Sequence, residues 1–121
     1  MKIEDQVCSL DLAKKLRELE VKQNSYFYWW KTNAGNRGEK WEISTYLPTR
    51  DTGADECYVA FTVAELGKML PYNISSFRYP DGGWSCTRSS PSEMVTFTAE
   101  NEADARAKML VYLLESKLIM I

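Results

Sequence analysis

The chain has 121 residues, of which 45% are apolar and 26% are charged, and its formal net charge is −2. This composition is typical of a folded globular protein and excludes a largely disordered chain. The length fits a single domain, residues 1–121, with a hydrophobic core of its own. Histidine is absent, which excludes Ser-His-Asp, Cys-His and histidine-metal chemistry. We therefore expect no metal and no cofactor.

Several features predict a cytoplasmic protein with no membrane span. Glu4 and Asp5 stand where a signal peptide would need an apolar stretch. The run Met109–Leu114 is far shorter than the roughly 20 apolar residues that cross a bilayer. The cysteines are widely spaced and form no Cys-x-x-Cys pair, so we expect reduced thiols rather than disulfides or a zinc ribbon. They are Cys8, Cys57 and Cys86.

The first half of the chain predicts a helix followed by three strands. Ser9 can cap an amphipathic helix that extends to about Glu20. The five consecutive aromatic residues Tyr26–Trp30 have high β propensity, and the turn-like stretch 33–38 predicts a return along Glu39–Tyr46. A loop rich in Asp, Thr and Gly, residues 48–56, then leads to a strand over Cys57–Phe61.

The second half repeats this order. Thr62 and Glu65 form a capping-box pattern at the start of a helix that Pro71 ends. The turn signal Pro80–Gly83 joins strands over Ser75–Tyr79 and Trp84–Arg88. A strand over Glu93–Phe97, a cap at Thr98 and a helix over 99–117 complete the pattern. The last helix carries one apolar stripe and two favourably ordered ion pairs, Glu102 with Arg106 and Asp104 with Lys108. The stripe is Ala103, Ala107, Leu110, Val111, Leu114 and Leu118.

A local echo connects the two halves. Val59–Thr62 and Val95–Thr98 each read as a short strand and a threonine cap before a helix that carries Lys-Met-Leu. An internal duplication of a βββα unit and independent use of the same capping pattern both explain it. The element order predicts an α+β fold, with a mainly antiparallel sheet of five or six strands packed against helices.

Three segments in this order, residues 8–16, 62–71 and 102–110, resemble small proteins of bacterial phages and integrated mobile elements that have no established activity. The resemblance spans most of the chain. It implies a bacterial cytoplasmic setting and an accessory role, such as binding a host or phage protein. It carries over no catalytic or binding residue.

The aromatic run is the first candidate binding region. Tyr26, Tyr28 and Trp30 face the opposite side of a strand from Phe27 and Trp29, so one set should pack inward. The other set is either covered, used for self-association, or an interaction surface to which Trp41 would contribute.

A basic and aromatic mixture in the same hairpin raises nucleic-acid binding as a weaker alternative. Lys31, Arg37 and Lys40 stand near tryptophans, as in single-stranded nucleic-acid platforms. Glu39 and Glu42 interrupt this pattern, and the acidic balance of the chain argues against affinity for phosphates.

The second hairpin is the other candidate region. Arg78, Trp84 and Arg88 could line a pocket for a small anion, with Cys86 as the one conceivable thiol nucleophile, although a solvated hairpin explains the same residues. Carboxylates in the loop around Asp51 and at the start of the last helix suit solubility and helix capping. We therefore predict a non-catalytic accessory binding protein that acts through the aromatic strand. The alternative is a histidine-free enzyme or small-anion binder at the second hairpin.

Overall fold

The computed structural model describes residues 2–23, 25–33, 39–45 and 57–119, and all but the first residue of the predicted turn 33–38 and the whole of the predicted loop 48–56 lie outside these ranges. A short 3₁₀ turn at Ile3–Asp5 precedes the first helix. The remaining elements are α1 (Leu10–Glu18), β1 (Tyr28–Asn33), β2 (Glu39–Ser44), β3 (Cys57–Val59), α2 (Val63–Met69), β4 (Ile74–Arg78), β5 (Trp84–Ser89), β6 (Met94–Ala99) and α3 (Glu102–Glu115).

The strands of the described ranges form two antiparallel sheets of three strands each, in the orders β2-β1-β3 and β4-β5-β6. The α+β class is confirmed, but the prediction of one sheet of five or six strands is wrong. The two sheets differ in which strand lies in the middle. In the first sheet it is β1, the first of its three strands along the chain, and in the second sheet it is β5, the second of its three. The duplication of a βββα unit therefore stays a prediction.

Two hydrophobic clusters explain why the strands divide into two sheets, because α3 is apolar on two sides and each sheet covers one of them. Ala103, Ala107 and Leu110 belong to a cluster with α1, α2 and the first sheet. Ala105, Met109 and Leu113 belong to a second cluster under β4, β5 and β6. A helix that is apolar around much of its circumference must be covered on more than one side. The stripe predicted from the sequence is the first of these sides, and its last residue, Leu118, lies beyond the helix and is exposed.

The helix caps agree with the sequence patterns in two cases of three. Ser9 caps α1, and Thr62 and Glu65 form the complete capping box of α2. The predicted cap at Thr98 is wrong, since Thr98 lies in β6 opposite Ser85. Asn101 caps α3 instead, and its Oδ1 accepts a hydrogen bond from Asp104 N at 2.8 Å. An asparagine oxygen satisfies the free amides of a first turn as well as a hydroxyl does.

Polar side chains of α3 join the two halves. The predicted pair of Glu102 with Arg106 is present, at 3.1 Å between Oε2 and Nη2. Arg106 also donates from Nη1 to the Val63 carbonyl at 3.1 Å and from Nε to Ser76 Oγ at 3.0 Å. It therefore connects α3 to the start of α2 and to β4.

The second predicted pair takes other partners. Asp104 Oδ1 accepts a hydrogen bond from Ser9 N, and Lys108 Nζ donates to the Thr98 carbonyl. Within the described ranges, no helix is both long enough and apolar enough to cross a membrane.

Candidate binding surfaces

The aromatic run is mostly part of the first core. Tyr28 is only 8% exposed, and its hydroxyl accepts a hydrogen bond from Ser25 N at 3.3 Å. Trp29 packs against the same cluster and donates from Nε1 to the Cys8 carbonyl at 2.9 Å. Tyr26 is 75% exposed. Of the predicted strip of Tyr26, Tyr28 and Trp30, only the first therefore offers a widely exposed ring.

The two tryptophans proposed for binding are half-buried. Trp30 Nε1 is inaccessible and has no hydrogen-bond partner among the described residues. The Trp41 ring lies 5.9 Å from that of Tyr58, and Lys14 Nζ stands 5.0 Å from its centroid. Arg17 likewise lies 5.1 Å from the centroid of Tyr58. Cations of α1 thus cover these rings through cation–π contacts. Of the cations that the sequence pattern places near the tryptophans, Arg37 lies outside the described residues.

The second hairpin borders a cleft of about 520 Å³ between the starts of α2 and α3. Arg78 and Trp84 line it, but Arg88 does not. Arg88 is four positions from Trp84 along β5, which corresponds to about 13 Å of extended chain. The structure therefore brings two of the three predicted residues together. The other lining residues are Asp5, Gln6, Thr62, Val63, Ala64, Gly82, Glu100, Asn101 and Glu102.

The charges of this cleft are unfavourable for an anion. Its lining includes the carboxylates of Asp5, Glu100 and Glu102 against the single guanidinium of Arg78. Glu102 is paired with Arg106, which lies outside the lining. A small anion in the cleft would therefore meet a surplus of negative charge, and electrostatic repulsion would weaken its binding.

Cys86 is unsuited to act as a nucleophile. Its side chain is fully buried in the second cluster. Burial raises the pKa of this thiol to about 11, although the nearby charge of Arg106 opposes the rise. The thiolate is the reactive form, so the group is almost entirely protonated at neutral pH. Within the described ranges there is also no cluster of three or more acidic or cysteine side chains that could hold a metal ion.

A surface that the sequence patterns did not single out lies on the second sheet. Ile74, Cys86 and Phe97 pack toward α3, so their neighbours along each strand face away from it. By the strand register these outward residues are Ser75, Phe77, Ser85, Thr87, Ser89, Met94, Thr96 and Thr98, of which Ser85 is itself buried. None of them is charged, and we refer to this set as the charge-free face.

Two observations define the character of the charge-free face. Phe77 and Met94 are 60% and 72% exposed, and the Phe77 ring makes an edge contact with Tyr79 at 5.5 Å between centroids. Thr87 and Thr96 share a hydrogen bond of 2.9 Å between their hydroxyl oxygens. Arg78 and Arg88, the only charged residues of these strands, have the opposite parity and lie on the side of α3. The alternation of Ser and Thr in β5 and β6 is the sequence signal for this face.

The chain matches no family model, no curated protein and no solved structure. The geometry of these surfaces therefore carries the functional argument.

Proposed function

We propose that this chain is a non-catalytic binding protein that contacts another protein through the charge-free face. The observation that carries the proposal is that eight outward positions on three strands contain no charged side chain, in a chain in which 26% of residues are charged. The centres of protein interfaces are depleted in charged residues and enriched in aromatic residues and methionine.

The physical basis is the cost of removing water. Burying an unpaired charge costs much more than burying a hydroxyl that keeps a hydrogen bond, as those of Thr87 and Thr96 do with each other. Phe77, Tyr79 and Met94 add apolar area that gains free energy when a partner covers it. A sheet face of this composition thus suits contact with a protein surface better than binding of a charged ligand.

Following the resemblance to phage and mobile-element proteins, we place the partner among host or phage proteins in the bacterial cytoplasm. The aromatic strand, which the sequence pattern favours for binding, contributes the exposed Tyr26 at most. Its buried members, Tyr28 above all, are assigned to folding.

The test compares Phe77→Ser with Tyr72→Ser, two exposed aromatic residues of which only Phe77 belongs to the charge-free face. Tagged wild type and both variants are used to isolate partners from bacterial lysate after nuclease treatment. Each recovered protein is then purified and titrated against all three chains. The proposal expects affinity to fall at least tenfold for Phe77→Ser and to be unchanged for Tyr72→Ser. Equal affinity for all three chains contradicts it, and thermal unfolding verifies that both variants fold.

The cleft supports a second candidate, a small-ligand binder at the second hairpin. Its volume of about 520 Å³ lies within the usual range for ligand sites. Since its carboxylates outnumber the guanidinium of Arg78, we infer an organic cation rather than a small anion as the ligand. Titration with spermidine and, separately, with phosphate tests this by the shift of the Trp84 indole resonance. A shift with spermidine alone supports a cation site, whereas no shift with either contradicts any such ligand.

A further inference from the structure

The turn between β5 and β6 shows which backbone groups of β6 point toward β5 and which point away from it. Ser90 and Glu93 exchange both backbone hydrogen bonds, at 2.9 and 3.4 Å. Pairs alternate between bonded and non-bonded along an antiparallel ladder. Val95, Phe97 and Ala99 therefore bond to β5, while the N–H and C=O groups of Met94, Thr96 and Thr98 point away from it. Because β6 is the last strand of its sheet, these groups form its outer edge.

This edge lacks the features that usually prevent strand pairing. Residues 94–99 include no charged residue, no proline and no glycine, whereas protected edges carry such residues or are covered. Lys108 Nζ donates a hydrogen bond of 2.7 Å to the Thr98 carbonyl. Within the described part of the chain, no side chain bonds the backbone groups of Met94 or Thr96. The Thr98 end of the edge is therefore blocked by Lys108, whereas the end with Met94 and Thr96 is available for strand pairing.

We propose that a second copy of this chain pairs with the β6 edge, antiparallel and about a two-fold axis at Val95. In this register Met94 and Thr96 of each copy exchange both backbone hydrogen bonds with Thr96 and Met94 of the other. Val95 lies opposite Val95 of the second copy, and the bond between Lys108 and Thr98 is retained. The result is a continuous sheet of six strands that spans two chains.

Three properties favour a second copy over a foreign segment. The two-fold axis matches every outward group of Met94 and Thr96 with an identical, complementary group. Pairing opposes no like charges, since neither strand carries any. It also covers Met94, whose side chain is 72% exposed. A short strand contact buries less area than a standard interface, so the dimer is concentration-dependent. This inference rests on the backbone edge of β6 and not on the proposed function, although the side chains of Met94 and Thr96 also belong to the charge-free face.

Sedimentation velocity over a concentration series tests the dimer. We expect the mass to rise from 13.9 kDa toward twice that value for the wild type. Thr96→Lys should remain monomeric, because it places two amines across the interface. Ser75→Lys is the matched control, since Ser75 occupies the same row and face on the opposite edge strand, and it should dimerise as the wild type does.

Amide hydrogen exchange provides a measurement that needs no variant. The amides of Val95 and Phe97 should be protected at every concentration, because they bond to β5. Those of Met94 and Thr96 should gain protection only in concentrated protein, by at least tenfold. A monomeric wild type at every concentration overturns the proposal and leaves the edge to an extended peptide of another protein. A dimer equally weakened by both lysine variants, or one without added protection at Thr96, also overturns it.

Discussion

Ser9 N donates a hydrogen bond of 2.6 Å to Asp104 Oδ1, across 95 positions of sequence. The bond joins the cap of α1 to the first turn of α3. The Asp104 carboxylate is half-buried in this position. Burial raises its pKa, and this effect outweighs the Ser9 amide and the Lys108 ammonium, which act in the opposite direction.

Replacing Asp104 should distinguish the hydrogen bond from the charge. In Asp104→Ala the Ser9 amide loses its acceptor, which typically costs about 1–3 kcal/mol when the donor is left without a partner. Asp104→Asn retains a side-chain oxygen and should lose clearly less of the free energy of unfolding. Urea denaturation of both variants at pH 7 measures the difference. Equal losses would show that Ser9 needs no acceptor there.

The raised pKa of Asp104 also predicts a pH dependence. A carboxyl group whose pKa is higher in the folded than in the unfolded state favours folding fully below its unfolded value, 3.8, and this contribution is lost as pH rises through the folded value. Asp104→Asn lacks this titration. The variant should therefore gain stability relative to the wild type as pH rises from about 3 to 7. A difference that is constant with pH would contradict the burial of the carboxylate.

The caps of α2 and α3 can be compared directly. Thr62→Ala removes the hydroxyl that accepts from Glu65 N at 3.2 Å, and loss of such a cap costs about 1 kcal/mol. Thr98→Ala should cost less than half as much, because Thr98 is an exposed strand residue and not a cap. Thermal unfolding of the two variants beside Asn101→Ala, which should resemble Thr62→Ala, tests whether Asn101 is the cap of α3.

Thiol labelling should follow exposure. Burial raises the pKa of Cys8 to about 12 and that of Cys86 to about 11, and both side chains are fully buried. Cys57 is half-exposed, and burial raises its pKa while Arg17 opposes the rise. We expect one fast-reacting thiol with an aromatic disulfide reagent at pH 8 and its disappearance in Cys57→Ser. A fast phase that persists in Cys57→Ser would return Cys86 to consideration as a nucleophile.

Gly67 and Arg106 should be energetically coupled. A Cβ atom at Gly67 would collide with Arg106 Nη1, which donates to the Val63 carbonyl. Gly67→Ala should therefore destabilise the wild type, although alanine is the better helix former by about 1 kcal/mol. In an Arg106→Ala background the same change should be stabilising. Urea denaturation of the four chains measures this, and an unchanged sign would mean that Arg106 moves aside without loss.

Local patterns predicted most elements, because capping and turn signals act over a few residues. The capping box of Thr62 and Glu65 and the hairpin turn at Pro80–Gly83 appear as expected. A threonine that precedes an acidic residue, as Thr98 precedes Glu100, fits both a helix cap and a strand end, so the local pattern predicts the wrong cap. Asn101, three positions later, was the actual signal.

The division into two sheets could not be predicted, because it depends on which sides of α3 are covered. Ala105, Met109 and Leu113 form a second stripe at helical spacing, yet the stripe through Leu110 already accounted for one apolar face. The proposed binding surface lies on the second sheet rather than on the aromatic strand for a similar reason. Whether Tyr28 or Phe77 is exposed depends on packing between distant elements, and long-range register is not encoded in local alternation.

The position of α3 between two cores has a consequence for the order of folding. The strands β4, β5 and β6 are joined by short turns and lie directly before α3 in sequence, so this half can close with small loops. The first half depends on contacts such as that of Ser9 with Asp104, whose closure entropy is larger. We expect the second sheet and α3 to assemble first and to provide the surface on which α1 and the first sheet condense. In translation from the ribosome the first half would then wait until α3 has been synthesised.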